Sequence, residues 1–328
     1  MPLTSWWARI RALPSPSHRQ QRGIAIAAVA ANVGIAVTGS IVRVTGSGLG
    51  CPTWPECVSG SMTPVEHPEL SQLNQWIEYG NRLLAGVIGV IAALCLLSAL
   101  RTRQRRRRVV LLSLTMFGGV AAQAVLGGIT VLAGLLWWTV AIHLLVSPIL
   151  VWFAVMLLRA VSEGDRPPRP LTHRAVPGVL VALTGAFAAV LVAGTLVTGA
   201  GPHAGDKDVD RLALPVETLA HVHAAFLFVF LGLLLVLGYL LRTGPAEGRA
   251  ATWRRYVVLL GVVLAQGLLG FVQFWTAVPG VLVVLHVLGA MSVTVALATV
   301  WVATRNRGPV PVCKASREEL RLATASAS

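Results

Sequence analysis

Residues 122–127 read Ala-Gln-Ala-Val-Leu-Gly, and residues 265–270 read Ala-Gln-Gly-Leu-Leu-Gly. In each case a histidine follows the glutamine after 20 residues, His143 in the first stretch and His286 in the second. Two stretches that share a motif and the distance to a histidine indicate an internal repeat. The sequence therefore predicts that this chain contains two copies of one structural unit.

Long apolar runs surround both stretches and indicate the class of protein. Of the 328 residues, 55% are hydrophobic and 12% are charged, whereas a soluble domain carries roughly 25% charged residues. Eight runs are long enough to cross about 30 Å of hydrocarbon. They lie at about 23–42, 83–100, 109–132, 137–158, 176–197, 219–241, 256–277 and 281–303. We therefore predict an all-α membrane protein with eight transmembrane helices.

The repeat divides these helices into two groups of four. Residues 44–48, Val-Thr-Gly-Ser-Gly, follow the first span, and Val-Thr-Gly-Ala-Gly at 197–201 ends the fifth. Four helices return the chain to its starting side, so we predict two parallel-repeat four-helix bundles rather than an inverted repeat. The predicted segments are a tail at 1–22, a first half at 23–160 with a loop at 43–77, a linker at 161–175, a second half at 176–303 and a tail at 304–328.

Positive charges are concentrated on one side of the predicted bundles. The net charge is +14, and 23 of the 27 lysines and arginines lie in the two tails and near residues 101–108, 159–174 and 242–255. In an eight-span path these five segments share one side, which the positive-inside rule assigns to the cytoplasm. We therefore predict a plasma-membrane protein with both termini in the cytoplasm. The basic segments are interpreted as contacts with membrane lipid, not with nucleic acid.

Histidines gather on the opposite, outer side, within about two turns of their helix ends. They are His143, His221, His223 and His286. Histidines on facing helices of a four-helix unit can hold heme iron from both sides. Zinc or copper would need three or four clustered ligands, and a proton relay would need carboxylates, which the eight apolar runs do not contain. The pattern therefore favours heme.

Two cysteines lie in the first outer loop, in Cys51-Pro-Thr-Trp-Pro-Glu-Cys57. Outside the cytoplasm a pair at this spacing favours a disulfide over zinc, for which about two to four intervening residues are usual. Such a disulfide could be a structural staple or a redox-active dithiol next to the heme site. Cys95 is predicted to be a small apolar residue in mid-helix, and Cys313 a free thiol in the C-terminal tail.

The loop and the segment that follows it resemble a known family. Thr-Gly-Ser-Gly-Leu-Gly-Cys-Pro-Thr-Trp-Pro-Glu-Cys at 45–57, followed by Ile-Glu-Tyr-Gly-Asn-Arg at 77–82, is similar to heme A synthase, and the similarity extends over about residues 23–303. The resemblance implies an oxidoreductase that converts the C8 methyl of heme O to the formyl of heme A by successive hydroxylations, with water as the oxygen source. It also implies heme b as cofactor and heme O as substrate. Heme O synthase and cytochrome oxidase assembly factors are then the expected partners, and a homo-oligomer is compatible with this reading.

In the second half, the resemblance implies that His286 and either His221 or His223 bind the iron of heme b. His223 matches the sixth-helix pattern better, although the arginine expected after this histidine is absent. His221 and His223 cannot both face one iron, because they lie about 200° apart around a helix. The second outer loop also lacks a cysteine pair.

In the first half, the resemblance makes His143 a ligand of the substrate heme and Glu78 the catalytic carboxylate. The family pattern Glu-x-x-His-Arg has a histidine where this chain has Asn81, just before Arg82. We therefore hypothesise that His143 alone holds the substrate iron, with Asn81 near its other face. Glu78 would steer a proton or stabilise positive charge at the methyl carbon; the alternative is a carboxylate that only pairs with Arg82. Two other functions stay open, a non-catalytic diheme electron-transfer protein and a heme transporter.

Overall fold

The computed structural model describes residues 15–102 and 104–311. Within these residues, eight helices are long and apolar enough to cross a membrane. They are α1 His18–Val44, α2 Gln72–Arg101, α3 Arg107–Leu132, α4 Trp137–Ser162, α5 Val176–Ala200, α6 Val216–Thr243, α7 Arg249–Trp275 and α8 Gly280–Ala303. The prediction of an all-α membrane protein with eight spans is confirmed. Cys313 and parts of both predicted tails lie outside the described residues.

Helix α2 begins earlier than its apolar run indicated. It starts at Gln72, where the side chain of Ser71 caps the first turn by accepting a hydrogen bond from the backbone N–H of Asn74. The prediction that the loop extends to residue 77 was therefore wrong. The apolar run begins only at residue 83, whereas the helix already includes the polar residues that precede it. Several of these, such as Glu78 and Arg82, bond to the preceding loop. Glu78, Asn81 and Arg82 consequently lie inside a regular helix.

Helix α7 also begins before its apolar run, at Arg249 instead of near residue 256. The connection from α6 is only the segment 244–248, and it ends in Gly248, whose φ of 73° lies in the left-handed region. Arg254 and Arg255, which were assigned to this connection, therefore lie in the second turn of α7. Their aliphatic stems can lie along a helix surface while their charges reach the membrane edge.

The bundle has two chemically different ends. We call the end where α1 begins and α8 ends the basic end, and the opposite one the histidine end. At the basic end, strand β1 (Arg169–Pro170) pairs with β2 (Arg305–Asn306) in an antiparallel bridge. At the histidine end, Gly48 N–H donates to Gly205 O over 2.9 Å and Arg43 donates to Thr198 O over 2.6 Å. The bonds at the histidine end therefore connect the two halves directly, and the bridge at the basic end ties the linker to the segment after α8.

The two halves differ in how their helices pack. In the first, α1 packs against both α2 and α4, and α3 closes the ring against α2 and α4. In the second, α5 pairs closely with α6 and α7 with α8, while α5 barely touches α8. The two halves are joined where α8 packs against α1 and α4. The exact repeat of one four-helix bundle stays a prediction.

Candidate functional site at the histidine end

Two histidines of the second half face each other. His223 on α6 and His286 on α8 have ring centroids 6.3 Å apart, with ring planes inclined by 54°. Nδ1 of His223 lies 2.9 Å from the carbonyl oxygen of Val190 on α5. When this nitrogen carries the proton and donates it to the carbonyl, the ring is oriented and Nε2 keeps a free lone pair. A ring fixed in this manner is typical of a metal-ligating histidine.

His221 takes no part in this pair. Its side chain is exposed on the surface of α6, and His223, two residues further on, is the one whose ring meets His286. The helical twist accounts for the difference, since positions two apart point to opposite sides. Of the two histidines that the sequence left open on α6, the geometry therefore favours His223.

The repeated glutamines form hydrogen bonds to the backbone of the helices that carry His143 and His286. Gln123 Nε2 on α3 donates to the backbone carbonyl of His143 over 3.1 Å, and Gln266 Nε2 on α7 donates to that of His286 over 2.9 Å. A side-chain bond between helices in the membrane fixes their relative height and rotation. The two glutamines therefore set the position of the two histidines. Gln123 also donates to Ser147 Oγ over 3.0 Å, a contact with no counterpart at Gln266.

Each histidine ring lies against a glycine of a neighbouring helix. A methyl group on Gly127 would lie 3.4 Å from Cε1 of His143, and one on Gly270 would lie 3.0 Å from Cε1 of His286. On α5, a methyl group on Gly194 would lie 3.2 Å from Cε1 of His223. The motif glycines thus leave room for the imidazoles. The sequence motif singled out Gly127 and Gly270, whereas Gly194 carries no signal except its small size at a helix interface.

In the first half, Asn81 occupies the place on α2 that faces α1. Its Oδ1 accepts a hydrogen bond of 2.7 Å from the hydroxyl of Thr38, much as His223 on α6 bonds to α5. The oxygen of the amide is therefore engaged, and the Nδ2 group is the remaining donor. Thr38 was missed at the sequence level, because a single threonine in an apolar span usually bonds to its own helix.

Glu78 is buried, with 5% of its surface exposed, and both its oxygens are bound. Oε2 accepts the backbone N–H of Cys51 at 2.7 Å, and Oε1 pairs with Arg82 Nη2 at 2.5 Å. The Arg82 guanidinium also donates to the carbonyls of Cys51, Thr53 and Glu56, at 2.6–3.0 Å. The pair therefore holds the first outer loop on α2. The alternative interpretation, in which Glu78 only pairs with Arg82, requires this same ion pair.

The first outer loop is closed by the disulfide Cys51–Cys57, as predicted, and both sulfurs are fully buried. From this anchored loop Trp54 reaches across to α3. A methyl group on Gly128 would lie 2.6 Å from the Trp54 indole, so only glycine fits beneath this ring. Gly128 is adjacent to Gly127, against which His143 packs. The loop therefore connects the Glu78–Arg82 pair to the helix that borders His143.

These side chains are suited to a heme in two respects. Two imidazoles on opposite faces of one metal ion, each bound at about 2.0–2.1 Å, have ring centroids about 6 Å apart, close to the 6.3 Å between His223 and His286. Nδ1 of His143 and Nδ1 of His286 are buried without a hydrogen-bond partner among the described residues, so each of these rings has a nitrogen that the protein leaves unoccupied. Within the described residues, no three His, Cys, Asp or Glu side chains cluster as a metal site of their own.

The fold and the site together define a polytopic membrane protein with a histidine-bearing centre in each half and a disulfide loop over the first. The sequence profile of the cytochrome oxidase assembly protein family, COX15-CtaA, matches residues 22–300. The chain therefore belongs to this family, and the family resemblance noted in the loop is confirmed.

Individual relatives carry a more specific name. The chain is 37% identical over 146 residues to the heme A synthase of Lysinibacillus sphaericus, covering 42% of this chain and 45% of the relative. It is 30% identical over 146 residues to that of Geobacillus kaustophilus, covering 43% of each. With the heme A synthase of Bartonella bacilliformis it shares 26% over 321 residues, 83% of this chain and 88% of the relative. The chain thus spans less than half the length of the first two relatives.

Proposed function

We propose that this protein oxidises the C8 methyl of heme O to the formyl group of heme A for the assembly of cytochrome oxidase. The observation that carries the proposal is the first outer loop, which joins a buried Glu78–Arg82 ion pair to the helix bordering His143. A carboxylate fixed at the same end of the bundle as an unpaired histidine suits chemistry on a bound porphyrin. The name shared by its relatives supports the same activity.

In the second half, His223 and His286 would hold heme b. A heme bound there supplies one-electron redox chemistry. The protein orients the ligands through Val190 on one side and Gln266 on the other. Neither contact involves a charged group, and a neutral imidazole would keep a lone pair for iron.

In the first half, His143 would hold the substrate heme by one face. Asn81 cannot replace a histidine as a strong ligand, and its Nδ2 group would donate a hydrogen bond to a water on the other face. Arg82 and the Cys51 N–H bind the two oxygens of Glu78 and hold its carboxyl group in place. From this position Glu78 would steer a proton or stabilise positive charge at the reacting carbon.

The orientation follows from charge. With the basic end in the cytoplasm of a cell with a plasma membrane, the histidine end and the disulfide lie on the outer side, where an oxidising environment maintains the bond. Heme O synthase and cytochrome oxidase assembly factors are the partners we expect to supply the substrate and receive the product.

A membrane electron-transfer protein with two hemes is the second candidate, and the facing pair His223–His286 is the observation that favours it. Such a protein would be expected to hold both hemes with two histidines each. Asn81 breaks this symmetry in the first half. The difference between the halves therefore argues against two hemes that are each held by two histidines.

Expression of the full chain in cells that make heme O and lack heme A provides the test. Hemes are extracted from membranes and identified by mass analysis, alongside cells carrying an empty vector. We expect heme A only when the chain is present. Heme bound to the purified protein without any heme A would favour the electron-transfer candidate, and a preparation without a Soret band would remove the heme proposal.

A further inference from the structure

A groove opens toward the basic end between α1 and α7, which flank α8. Its volume is about 620 Å³, within the roughly 300–1,000 Å³ typical of small-molecule sites. The walls are small or apolar along most of their length. They are formed by Ala30, Val33, Val258, Val262, Val295 and Ala296.

The groove also has a charged mouth. Arg254 and Arg255 line it from the second turn of α7, about 8 Å from the start of this helix at ~1.5 Å per residue. Neither forms an ion pair with a carboxylate in the part of the chain that the structure describes. Glu163, a buried carboxylate at the same end, is already shared by Arg108 and Arg159 at 2.6 and 2.8 Å. Two adjacent cations therefore stand at the end of an apolar groove without a protein counter-ion.

An apolar groove with two arginines at its mouth suits one class of ligand. Two guanidinium groups at the membrane edge suit a phosphate, which arginine binds through several hydrogen bonds. The apolar walls beyond them suit a hydrocarbon chain that runs into the membrane. Anionic phospholipids carry both groups, and they are enriched in the leaflet that faces basic protein segments.

We propose that this groove binds one anionic phospholipid, with its phosphate between Arg254 and Arg255 and an acyl chain between α1 and α7. The small side chain of Ala30 on α1 leaves space for the chain. Since α1 belongs to the first half and α7 and α8 to the second, the lipid would contact both halves.

The groove is separate from the heme sites. Arg255 and Gly270, which packs against His286, lie 15 positions apart on α7, about 22 Å at ~1.5 Å per residue. The lipid site therefore does not depend on the proposed reaction, and it can be tested on protein without heme A activity.

The test measures lipid retained by the purified full chain. The protein is incubated with mixed vesicles of phosphatidylglycerol and phosphatidylcholine, exchanged into detergent and analysed for bound lipid by mass spectrometry. We expect phosphatidylglycerol to be retained in preference to phosphatidylcholine. The double substitution Arg254→Ala with Arg255→Ala should reduce this preference by about 30-fold, a factor of about five for each arginine near the membrane surface.

Three further variants show which part of the groove accounts for any loss of phosphatidylglycerol retention. Arg105→Ala with Arg107→Ala removes two exposed charges at the same end and should leave the preference unchanged. Arg254→Lys with Arg255→Lys keeps both charges and should retain most of it. Ala30→Leu, at an exposed position of α1, fills the groove while both arginines remain, and it should weaken retention by about tenfold, the loss of one well-buried chain segment. Circular dichroism checks that each variant keeps its helices.

Several outcomes would overturn the proposal. Equal retention by the Arg254→Ala/Arg255→Ala variant would exclude the arginines as the head-group site. Displacement of the lipid by inorganic phosphate, with no effect of Ala30→Leu, would indicate an anion site without an acyl groove. Displacement by added protoheme in proportion to its concentration would make a porphyrin the occupant.

Discussion

The first and second halves of the bundle place polar residues at the same end, yet the second half has a facing pair of histidines where the first has one histidine and an asparagine. Gln123 and Gln266 bond to the backbone of His143 and His286 in the same way. The second polar residue of each half differs. On α6 the ring of His223 bonds to α5, whereas on α2 the amide oxygen of Asn81 bonds to α1. One scaffold thus carries a facing pair of histidines in one half and one histidine with an asparagine in the other.

The loops above the two centres differ as well. In the first half, the disulfide loop is fixed by Glu78 and Arg82 and reaches α3 through Trp54. In the second, His203 Nε2 lies 2.8 Å from the Val278 carbonyl in the turn before α8, and the loop contains no cysteine. Under the proposed function, the second centre would supply redox chemistry and the first would hold the reacting heme. Four predictions test this comparison of the two halves, from the largest expected effect to the smallest.

Removal of a ligand from the second half should have the largest effect. Either His223→Ala or His286→Ala should abolish heme b binding, a loss greater than the roughly 10–100-fold caused by altering groups that merely orient a ligand. Absorption spectra of the purified protein and extracted heme A measure it. His221→Ala, on the exposed side of α6, serves as the control. A stronger effect of His221→Ala than of His223→Ala would reverse the assignment.

Neutralisation of Glu78 tests the chemistry assigned to the first half. Glu78→Gln keeps an acceptor for the Cys51 N–H but removes the charge, so heme A formation should fall by about 100-fold while bound heme stays constant. Glu56→Gln removes a charge from the outer loop that Glu78 and Arg82 hold, and it should change heme A output little. Unchanged heme A output in Glu78→Gln would reduce Glu78 to an anchor of the loop.

The exchange Asn81→His makes the first half resemble the second. If an open iron position is needed, a second histidine ligand should convert the bound substrate heme to a six-coordinate low-spin form. Heme A output should then fall by about tenfold, because a ligand worth about 1.4 kcal/mol must be displaced. Electron paramagnetic resonance measures the spin state. Thr38→Val, which removes the bond to Asn81 but adds no ligand, is the control, and an unchanged spin state in Asn81→His would contradict the open position.

The glutamines should have the smallest effects, on stability. Interhelical hydrogen bonds in membranes contribute about 0.6 kcal/mol each. Gln123→Ala removes bonds to both His143 and Ser147, and Gln266→Ala removes only one. The free energy of unfolding should therefore decrease about twice as much for Gln123→Ala, as measured by denaturant titration in detergent micelles. Equal losses would show that the Ser147 contact does not contribute.

Much of the fold could be predicted from the sequence because hydrocarbon thickness constrains every span. Eight apolar runs identified eight helices. The helix starts were less accurate at α2 and α7, where polar residues continue the helix beyond the apolar run. There the side chains contact a loop or the membrane edge, and such contacts cannot be read from hydropathy.

The candidate site, like the fold, could be predicted from the sequence only in part. By itself the sequence determined the number of spans, the position of the histidines at the end opposite the basic segments and the pairing of Cys51 with Cys57, because hydropathy, charge and spacing are local properties. Only the tertiary structure distinguished His223 from His221 and brought Arg82 under the disulfide loop. These features depend on helix rotation and on contacts between segments far apart in the chain, and the sequence of one helix does not specify what lies opposite each of its faces.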